Sequence, residues 1–363
     1  MEPVLPDYRQ ACLSNVVPTV LGRGPVPPWF PPVAADADRL VLLAVDGLGW
    51  HQLQERRHLA PTLSAMAGTY ISTVVPSTTA TALTSLTTGL TPAAHGVMGY
   101  RLRVGPEVLN VLRWRTPGGD ARERVPPADF QGLEAFLGTR PPVVTRSEFG
   151  DSGFSRAHLG GARMHGWRMP STLVAVTRGL VEKGEPFVFA YYDGVDKVAH
   201  EFGFGDIYDA EVRAADGVVS DLLAELPSDV VVLVTSDHGQ VQVGADVVEL
   251  HREVAEFVTM MSGEGRFRWL HARPSQAAHL AEAARAHHGG QAWVRTRDEV
   301  LAEGWFGGDL APVVADRLGD VVLAASEAVA FFDPADAGES RMQCRHGSLT
   351  AGEMHVPLLA ATT

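Results

Sequence analysis

Cysteine and positive charge are both scarce in this chain. Among its 363 residues the cysteines are Cys12 and Cys344, too few for a disulfide framework or a thiolate zinc knuckle. Acidic residues outnumber basic ones by 43 to 30, giving a formal charge of −13. General binding to nucleic-acid polymers needs a basic surface, so we expect none. A small anionic substrate stays possible, because bound metal ions make a buried site locally positive.

Long hydrophobic runs are missing as well. No run reaches membrane-spanning length, and the first residues, MEPVLPDYRQACLSNVV, lack a basic segment followed by an apolar one. We therefore expect no membrane span, no signal peptide and a cytoplasmic location. The content of 45% hydrophobic and 20% charged residues is typical of a globular protein, and the length allows one large domain or two ordinary ones.

Three apolar runs each end with an acidic residue close to a glycine. They are Leu40–Gly49 (LVLLAVDGLG), Pro186–Gly194 (PFVFAYYDG) and Asp229–Gly239 (DVVVLVTSDHG). Residues 171–183 and 209–226 show the apolar spacing of amphipathic helices. Strands that alternate with helices predict an α/β fold with a largely parallel central sheet and helices on both faces. The polar groups at the strand ends should meet in one crevice.

Two stretches do not follow this alternation. Residues 101–168 are rich in glycine, proline and arginine, and residues 240–340 mix short helices with strand-like pieces. We predict that both are insertions that form a cap or a substrate wall. The side chains that could face a substrate there are Trp114, Arg146, Arg163 and Trp167.

Carboxylates and histidines cluster near the predicted strand ends. An acidic residue after a strand is commonly a helix cap or a turn former. Several carboxylates in one crevice, however, repel one another unless a cation neutralises them. Asp196 and His200 are four residues apart and can share a helix face. The adjacent Asp237 and His238 precede a glycine. Oxygen and nitrogen donors without thiolate suit zinc, manganese or iron, and the imidazoles favour zinc.

The segment Pro76–Gly96 (PSTTATALTSLTTGLTPAAHG) combines hydroxyl groups with helical spacing. Its apolar residues predict a helix that ends at Gly89. A hydroxyl in the first turn of a helix lies where backbone N–H groups favour negative charge, so a threonine there could act as a nucleophile. Ordinary helix capping explains the same residues equally well.

In this order the motifs resemble the alkaline phosphatase superfamily, most closely its nucleotide pyrophosphatase/phosphodiesterase branch. The resemblance covers Leu40–Tyr100, Phe187–Gly239 and Arg345–Leu359. It implies a single catalytic domain over residues 1–363, and it implies a phosphoric ester hydrolase that acts on a small phosphate ester or a nucleotide.

The resemblance also implies the residues of the site. Thr79, ten residues before the glycine of TGLTPAAHG, corresponds to the family's nucleophile. Two divalent metal ions, expected to be zinc, would be bound by two sets of ligands: Asp46, Thr79, Asp237 and His238 for one, and Asp196, His200 and His346 for the other. His355 is the rival to His346, and Asp193 is the alternative to Asp196.

One position departs from the family pattern. The phosphodiesterase branch carries an asparagine shortly after the His-Gly pair, where this chain has Tyr100. We predict that Tyr100 and Arg101 bind the substrate in its place. The change leaves the choice between diester, monoester and phosphonate open. Phosphonoacetate hydrolase-like activity and a catalytically silent metal-binding protein are the alternatives, and the sequence does not indicate the oligomeric state.

Overall fold

The computed structural model describes residues 2–22, 24–35, 37–336 and 338–363. The α-helices are α1 (Val16–Leu21), α2 (Pro32–Ala35), α3 (Trp50–Glu55), α4 (Pro61–Ala65), α5 (Thr79–Thr88), α6 (Pro92–His95), α7 (Pro127–Phe130), α8 (Gly153–His158), α9 (Pro170–Glu182), α10 (Gly194–Phe202), α11 (Asp206–Glu225), α12 (Arg252–Ala255), α13 (Ala277–His288), α14 (Arg297–Ala302), α15 (Pro312–Ala315) and α16 (Ala351–Met354). The strands are β1 (Arg39–Val45), β2 (Ala67–Ser72), β3 (Arg101–Val104), β4 (Glu107–Asn110), β5 (Arg115–Thr116), β6 (Gly119–Asp120), β7 (Pro142–Arg146), β8 (Arg163–Trp167), β9 (Phe187–Tyr192), β10 (Val230–Thr235), β11 (Val241–Gln242), β12 (Val247–Val248), β13 (Val258–Glu264), β14 (Phe267–Ala272), β15 (Ala292–Thr296), β16 (Val321–Ala325), β17 (Ala330–Phe331), β18 (Cys344–Arg345) and β19 (His355–Thr362).

A seven-stranded sheet forms the centre of the fold, in the order β2-β19-β10-β1-β9-β7-β8. Strand β1 pairs in parallel with β9 and β10, and β7 continues the parallel arrangement between β9 and β8. Strand β19 runs antiparallel to both of its neighbours. The predicted fold class, an α/β fold with a largely parallel sheet, is therefore confirmed.

The three apolar runs of the sequence are adjacent strands in the middle of this sheet. All residues of β9 and β10 are buried, and in β1 only Arg39 is partly exposed. Alternate side chains of these strands enter separate hydrophobic clusters on the two faces of the sheet, as Leu42 and Leu43 do. Burial on both faces explains why these strands are continuous apolar runs instead of alternating patterns.

Helix α5 is buried along its whole length beside the sheet. Its hydroxyl groups tolerate burial because several donate back to backbone carbonyls, as Thr84 does to Ala80 at 2.6 Å. The helix ends at Gly89, whose φ of 71° is the left-handed conformation that terminates helices. The helix end predicted at Gly89 is confirmed.

The two stretches predicted as insertions differ from each other. Residues 142–167 contribute β7 and β8 to the central sheet, so only the first part of 101–168 forms a separate small sheet, β3-β4-β5-β6. Edge strand β8 is mostly exposed, which removes the apolar pattern that identifies the inner strands. Residues 240–340 contain a separate sheet in the order β13-β14-β16-β15. Their role as a substrate wall stays a prediction.

Among the described residues, none of the helices combines the length and the apolar character needed to cross a membrane.

Candidate metal centre

The carboxyl ends of three neighbouring strands bring acidic side chains together. Asp46 directly follows β1, Asp193 directly follows β9, and Asp237 lies two residues after β10. Because these strands are parallel and adjacent, their following loops leave the sheet at the same edge. Helix α10 starts from the loop after β9 and carries Asp196 in its first turn and His200 in its last turn.

One group of donor atoms surrounds the imidazole of His238. Its Nε2 atom lies 3.4 Å from Asp46 Oδ1, 3.5 Å from Asp237 Oδ2 and 3.1 Å from the hydroxyl of Thr79. The backbone N–H groups of Gly47 and His238 donate to the other oxygen of Asp237, which fixes the carboxylate. All four donor side chains are buried.

A second group surrounds the carboxylate of Asp196. Its Oδ1 atom lies 3.2 Å from His200 Nε2 and 3.8 Å from His346 Nε2, and it accepts a hydrogen bond from the amide of Gln240. The rings of His238 and His346 stack with centroids 3.6 Å apart, so the two groups are contiguous. The structure thus brings together all seven residues predicted as metal ligands. Their roles stay predictions.

The three imidazoles share one orientation of their protons. In each ring Nδ1 faces a backbone carbonyl, at 3.0 Å for His238 and Gly239, 2.7 Å for His200 and Cys344, and 2.9 Å for His346 and Ser77. A carbonyl oxygen only accepts, so Nδ1 carries a proton in each ring and Nε2 is the atom that faces the carboxylates. Histidines that bind metals are commonly held by such a hydrogen bond on the other ring nitrogen.

The donor set fits divalent cations. Imidazole nitrogens face carboxylate oxygens in a largely buried site, where the carboxylates repel one another until a cation or a proton lies between them. Among the described residues, Asp46 Oδ1 and Asp237 Oδ2 are buried without a hydrogen-bond partner. Burial and the charges of Asp237 and Asp196 raise the pKa of Asp46 well above its ordinary value. Burial, together with His238 and His200, lowers the pKa of His346, which keeps this imidazole neutral.

The alternative ligands lie elsewhere. Asp193 is engaged by two cations, Arg146 at 2.7 Å and Lys197 at 2.5 Å, so its charge is already balanced. His355 begins β19 and contacts His51, with 3.0 Å between ring nitrogens, on a different part of the surface. The positions of Asp193 and His355 therefore agree with the prediction of Asp196 and His346 as the ligands.

Thr79 occupies the first position of α5, where backbone N–H groups have no partner inside the helix. The preceding residue, Thr78, makes no capping hydrogen bond through its side chain. The hydroxyl of Thr79 faces His238 and the carboxylates instead of closing the helix. Ordinary capping therefore does not account for this residue, whereas an anion-binding helix start does.

A cavity of about 280 Å³ opens beside Thr79 and the carboxylates. Apolar side chains form most of its wall: Leu83, Leu112, Val143, Phe149, Phe154, Leu159, Phe189 and Tyr191. The rings of Phe149 and Tyr191 lie 6.5 Å apart between centroids. The carboxylate end of the cavity can bind cations and a phosphoryl group, and the remainder fits an apolar or flat group.

The predicted substrate-binding residues differ from those that line this cavity. Arg101 is buried and forms ion pairs with Asp333 and Asp336, which hold it in a separate groove. Tyr100 accepts a hydrogen bond from Asn110 at 2.7 Å and is not part of the cavity wall. Arg101 lies outside the cavity because it pairs with Asp333 and Asp336, and local sequence spacing could not show that these carboxylates lie beside it.

The proposed wall residues are also placed differently. Trp114 and Trp167 are buried, and the guanidinium of Arg146 lies over the ring of Trp167 while it pairs with Asp193. Arg163 pairs with Glu185 at 2.6 Å on the surface. Large apolar rings in a segment of weak periodicity pack into the core because burial stabilises them more than exposure at a wall.

Sequence reasoning missed two residues that hold the predicted ligands. The hydroxyl of Tyr191 donates to Asp46, and the amide of Gln240 donates to Asp196. The side chains of a strand alternate between faces, so the pair Tyr191-Tyr192 before Asp193 indicated that one tyrosine would face the site. Gln240 directly follows the Asp-His-Gly motif, but no spacing rule identified it.

A further cluster of donors lies on the surface of the segment 240–340. The side chains of His251, Glu253 and His287 place one donor atom each within 4.8 Å of one another. All three residues are exposed, and a hydrogen bond of 3.0 Å between His287 and Glu253 accounts for their proximity.

Comparisons with known proteins bear on the family and the fold. The family model described as type I phosphodiesterase/nucleotide pyrophosphatase matches residues 40–177 and 110–349. No curated protein sequence gives a significant match.

Solved structures with the same fold share little sequence with this chain. Mouse ectonucleotide pyrophosphatase/phosphodiesterase 5 superposes with a TM-score of 0.66 at 17% identity, covering 89% of this chain and 87% of that one. An inactive threonine-to-alanine variant of the mouse protein, in complex with AMP, gives 0.64 at 16% identity over the same shares. Phosphonoacetate hydrolase from Sinorhizobium meliloti, in complex with phosphonoformate, gives 0.65 at 18% identity, covering 92% and 90%.

Proposed function

Because the chain belongs to the type I phosphodiesterase/nucleotide pyrophosphatase family, within the alkaline phosphatase superfamily, we propose that it hydrolyses a phosphate diester or a nucleotide through Thr79. Family membership makes it a phosphoric ester hydrolase. The observation that carries the finer proposal is the position of the Thr79 hydroxyl. It lies 3.1 Å from His238 Nε2, at the start of a buried helix and in the wall of the apolar cavity.

We propose that two divalent ions, zinc by preference, are bound at this edge of the sheet. The proposed ligands are Asp46, Thr79, Asp237 and His238 for one ion, and Asp196, His200 and His346 for the other. When bound, the ions would lower the pKa of the Thr79 hydroxyl and neutralise charge on the phosphoryl oxygens. The Nε2 atoms that face the carboxylates and the buried unpartnered carboxylate oxygens support this assignment.

The reaction follows from the position of Thr79. After its proton passes to solvent, Oγ1 attacks phosphorus, forming the Oγ1–P bond as the bond from phosphorus to the leaving oxygen breaks. The leaving oxygen keeps the electron pair and takes a proton from water. A water molecule then attacks the phospho-threonine, which releases phosphate product and restores the hydroxyl. The free N–H groups at the start of α5 hold non-bridging oxygens.

The apolar cavity wall favours a substrate with a flat or apolar group. Phe149 and Tyr191 offer ring surfaces beside the phosphoryl position, as a nucleoside would need. The AMP bound to the mouse relative agrees with a nucleotide substrate. A phosphonate such as the one bound to the bacterial relative is small and fully polar, and it would leave this wall unused. Phosphonate hydrolysis is therefore the second candidate.

The test is turnover by the purified, zinc-loaded protein and by Thr79→Ala, on aryl phosphate diesters, monoesters and phosphonoacetate. We expect the diesters to be the best substrates and Thr79→Ala to lose at least about 10³-fold in kcat while keeping its metal, because the nucleophile is absent. Retained turnover in that variant refutes the nucleophile. Inactivity of a metal-free wild type on every compound would favour a silent binding protein.

The location in the cytoplasm rests on the sequence alone and is proposed on that ground.

A further inference from the structure

A loop between β4 and β5 carries Arg113 to the boundary of two openings. Arg113 lines the cavity that contains Thr79, and it also lines an open groove of about 940 Å³. That groove runs between the small sheet, which contributes Arg115, and strand β13, which contributes Met260 and Met261. A group that leaves the phosphoryl position through the groove must therefore pass Arg113.

Arg113 is a cation without a committed partner at this boundary. The other flexible cation of the cavity wall, Lys197, is held by Asp193 at 2.5 Å. Burial lowers the pKa of His158 to about 4, so this imidazole is neutral at physiological pH. Within the described parts of the chain, the guanidinium of Arg113 forms no hydrogen bond or ion pair, and its side chain is exposed. An anion at the cavity mouth would meet an available bidentate donor.

Two side chains hold the loop that presents Arg113. The backbone N–H of Arg113 donates to Asn110 Oδ1 at 2.9 Å, and the amide of Asn110 donates to the hydroxyl of Tyr100 at 2.7 Å. Tyr100 is the residue that departs from the family pattern. Its hydroxyl supports the base of the loop, and two hydrogen bonds through Asn110 connect Tyr100 to Arg113.

The residue after Arg113 fixes the other end of the loop. Trp114 has a φ of 51°, a left-handed conformation that bulky residues rarely adopt. Its buried indole donates to the carbonyl of Val125 at 2.7 Å and packs edge-on against Phe130. Backbone strain of this kind persists only where the surrounding packing imposes it, and it concentrates at functional sites.

We propose that Arg113 binds a second anionic group of the substrate, on the leaving-group side, and so selects pyrophosphate bonds over diesters with an uncharged leaving group. This inference rests on the proposed function. With phosphorus at Thr79 and one ester arm against the apolar wall, the other arm would extend toward the opening where Arg113 lines both the cavity and the groove. A phosphate on that arm matches the planar guanidinium, whereas an aryl group does not need it.

The experiment compares two substrates that share the transferred group. Both substrates transfer the thymidine 5′-phosphoryl group. Thymidine triphosphate releases pyrophosphate as its leaving group, and the p-nitrophenyl ester of thymidine 5′-monophosphate releases p-nitrophenol. We expect Arg113→Met to lower kcat/KM for the triphosphate by about 10- to 100-fold, the usual effect of removing a charged hydrogen-bond donor. The aryl ester should change by less than about 3-fold, because it offers this donor no charged partner. Arg113→Lys should restore part of the difference.

Two further variants separate position from charge. Arg122→Met removes an exposed arginine that pairs with Asp120 near the same small sheet and lines neither opening, so both rates should stay as in the wild type. Tyr100→Phe removes the acceptor of the Asn110 amide. As a positioning change it should lower the ratio of triphosphate to aryl-ester kcat/KM in the same direction as Arg113→Met, by less, with the unfolding temperature unchanged.

A binding measurement tests the anion site at Arg113 without depending on turnover. Zinc-loaded Thr79→Ala should bind inorganic pyrophosphate, and adding Arg113→Met should weaken binding by about 10-fold. Equal losses of kcat/KM on both substrates, or no loss, would overturn the selectivity while leaving the proposed hydrolase intact. If the wild type cleaves neither substrate, the proposed function fails. If, in addition, the Arg113→Met substitution leaves the affinity for pyrophosphate unchanged, the proposed anion site at Arg113 is refuted as well.

Discussion

Single hydrogen bonds determine which atoms of this site face inward. Each imidazole is oriented by a carbonyl on Nδ1, and Asp46 and Asp237 are each held through one carboxylate oxygen so that the other is available. For Asp46 the donor that holds one oxygen is the hydroxyl of Tyr191. The ligands are thus oriented by groups that do not themselves bind metal, and such groups commonly change metal affinity by 10- to 100-fold.

Tyr191→Phe tests that orientation. The substitution keeps the ring beside Phe149 and removes only the hydroxyl that donates to Asp46. We expect zinc affinity to fall by about 10-fold or more, with kcat falling at limiting zinc. Tyr192→Phe is the matched control, because its hydroxyl donates to Glu211 on the other face of the strand. Competition titrations with a zinc indicator measure both; equal affinities for the two variants would contradict the role of Tyr191.

The buried carboxyl of Glu264 predicts a pH effect outside the metal centre. Burial raises its pKa to about 8, from 4.5 for an exposed glutamate, and the charge of Glu339 acts in the same direction. The folded protein therefore keeps this proton where the unfolded chain has lost it. Its stabilising contribution is complete below about pH 4.5 and is lost as the pH rises through about 8.

Glu264→Gln removes this ionisation and still offers an oxygen to the N–H of Tyr100, which Glu264 accepts at 3.1 Å. Unfolding temperatures measured from pH 6 to 9 should fall less with rising pH in this variant than in the wild type. The exposed Glu249→Gln should follow the wild type. Parallel curves for all three proteins would mean that Glu264 is already ionised in the fold.

At the scale of elements, the sequence identified those with a strong period and missed those without one. Strands β1, β9 and β10 and helices α9 and α11 were predicted to within a few residues, because burial on two faces or on one helical stripe leaves a clear pattern. The edge strand β8 is mostly exposed and carries no such pattern. Its place in the sheet depends on pairing with β7, which is not visible in the local sequence.

The same distinction separates the parts of the site. Asp46 and Asp237 were predicted because each follows the end of an apolar strand, whereas Thr79 was predicted from the family resemblance, ten residues before Gly89. Sequence spacing could not show that Arg101 lies outside the cavity, because its partners, Asp333 and Asp336, are more than 200 residues away in the chain. Long-range charge pairing follows from tertiary structure, and local spacing contains no information about it.

The turn after β1 makes an element-level prediction. Gly47 has a φ of 72°, and a Cβ atom there would lie 2.9 Å from the backbone of Asp196 and from the amide of Gln240. Gly47→Ala should displace Asp196 and reduce zinc content, in addition to a strain of about 1–2 kcal/mol for the positive φ.

Gly105→Ala is the control for that strain. Its φ of 60° is similar, but a Cβ atom would meet nothing within 4 Å. Both variants should lose the stability that a positive φ costs an alanine, Gly47→Ala should lose more because of its close contacts, and only Gly47→Ala should lose zinc, as measured by metal analysis after gel filtration. Full zinc content in Gly47→Ala would show that the turn and α10 adjust independently of the ligands.

At the scale of the whole molecule, the candidate metal centre lies where acidic side chains follow the carboxyl ends of the central strands. Asp46, Asp196 and Asp237 approach one another at the carboxyl ends of the strands, in a chain whose formal charge is already −13. Cations there stabilise the fold by binding only the folded state. Their removal should therefore lower the unfolding temperature as well as abolish turnover.

The size of that loss should depend on pH. Without metal, burial and two neighbouring carboxylates raise the pKa of Asp46, so the metal-free fold is favoured while this group is protonated and is destabilised as the pH rises. Chelation should lower the unfolding temperature more at pH 8 than at pH 5. The background variant His251→Ala/His287→Ala removes the exposed donor cluster, so that the difference reports on the buried centre.

Asp46→Asn gives the sharpest form of this prediction. An amide at this position removes one repelling charge and can donate toward His238 Nε2 and the unpartnered oxygen of Asp237, which lie within reach of Asp46 Oδ1. The metal-free variant should therefore unfold at a higher temperature than the metal-free wild type at pH 8, although it binds zinc more weakly and turns over more slowly. A lower unfolding temperature for the metal-free variant would mean that the carboxylates are not in conflict, and the main physical argument for cations at this edge of the sheet would be lost.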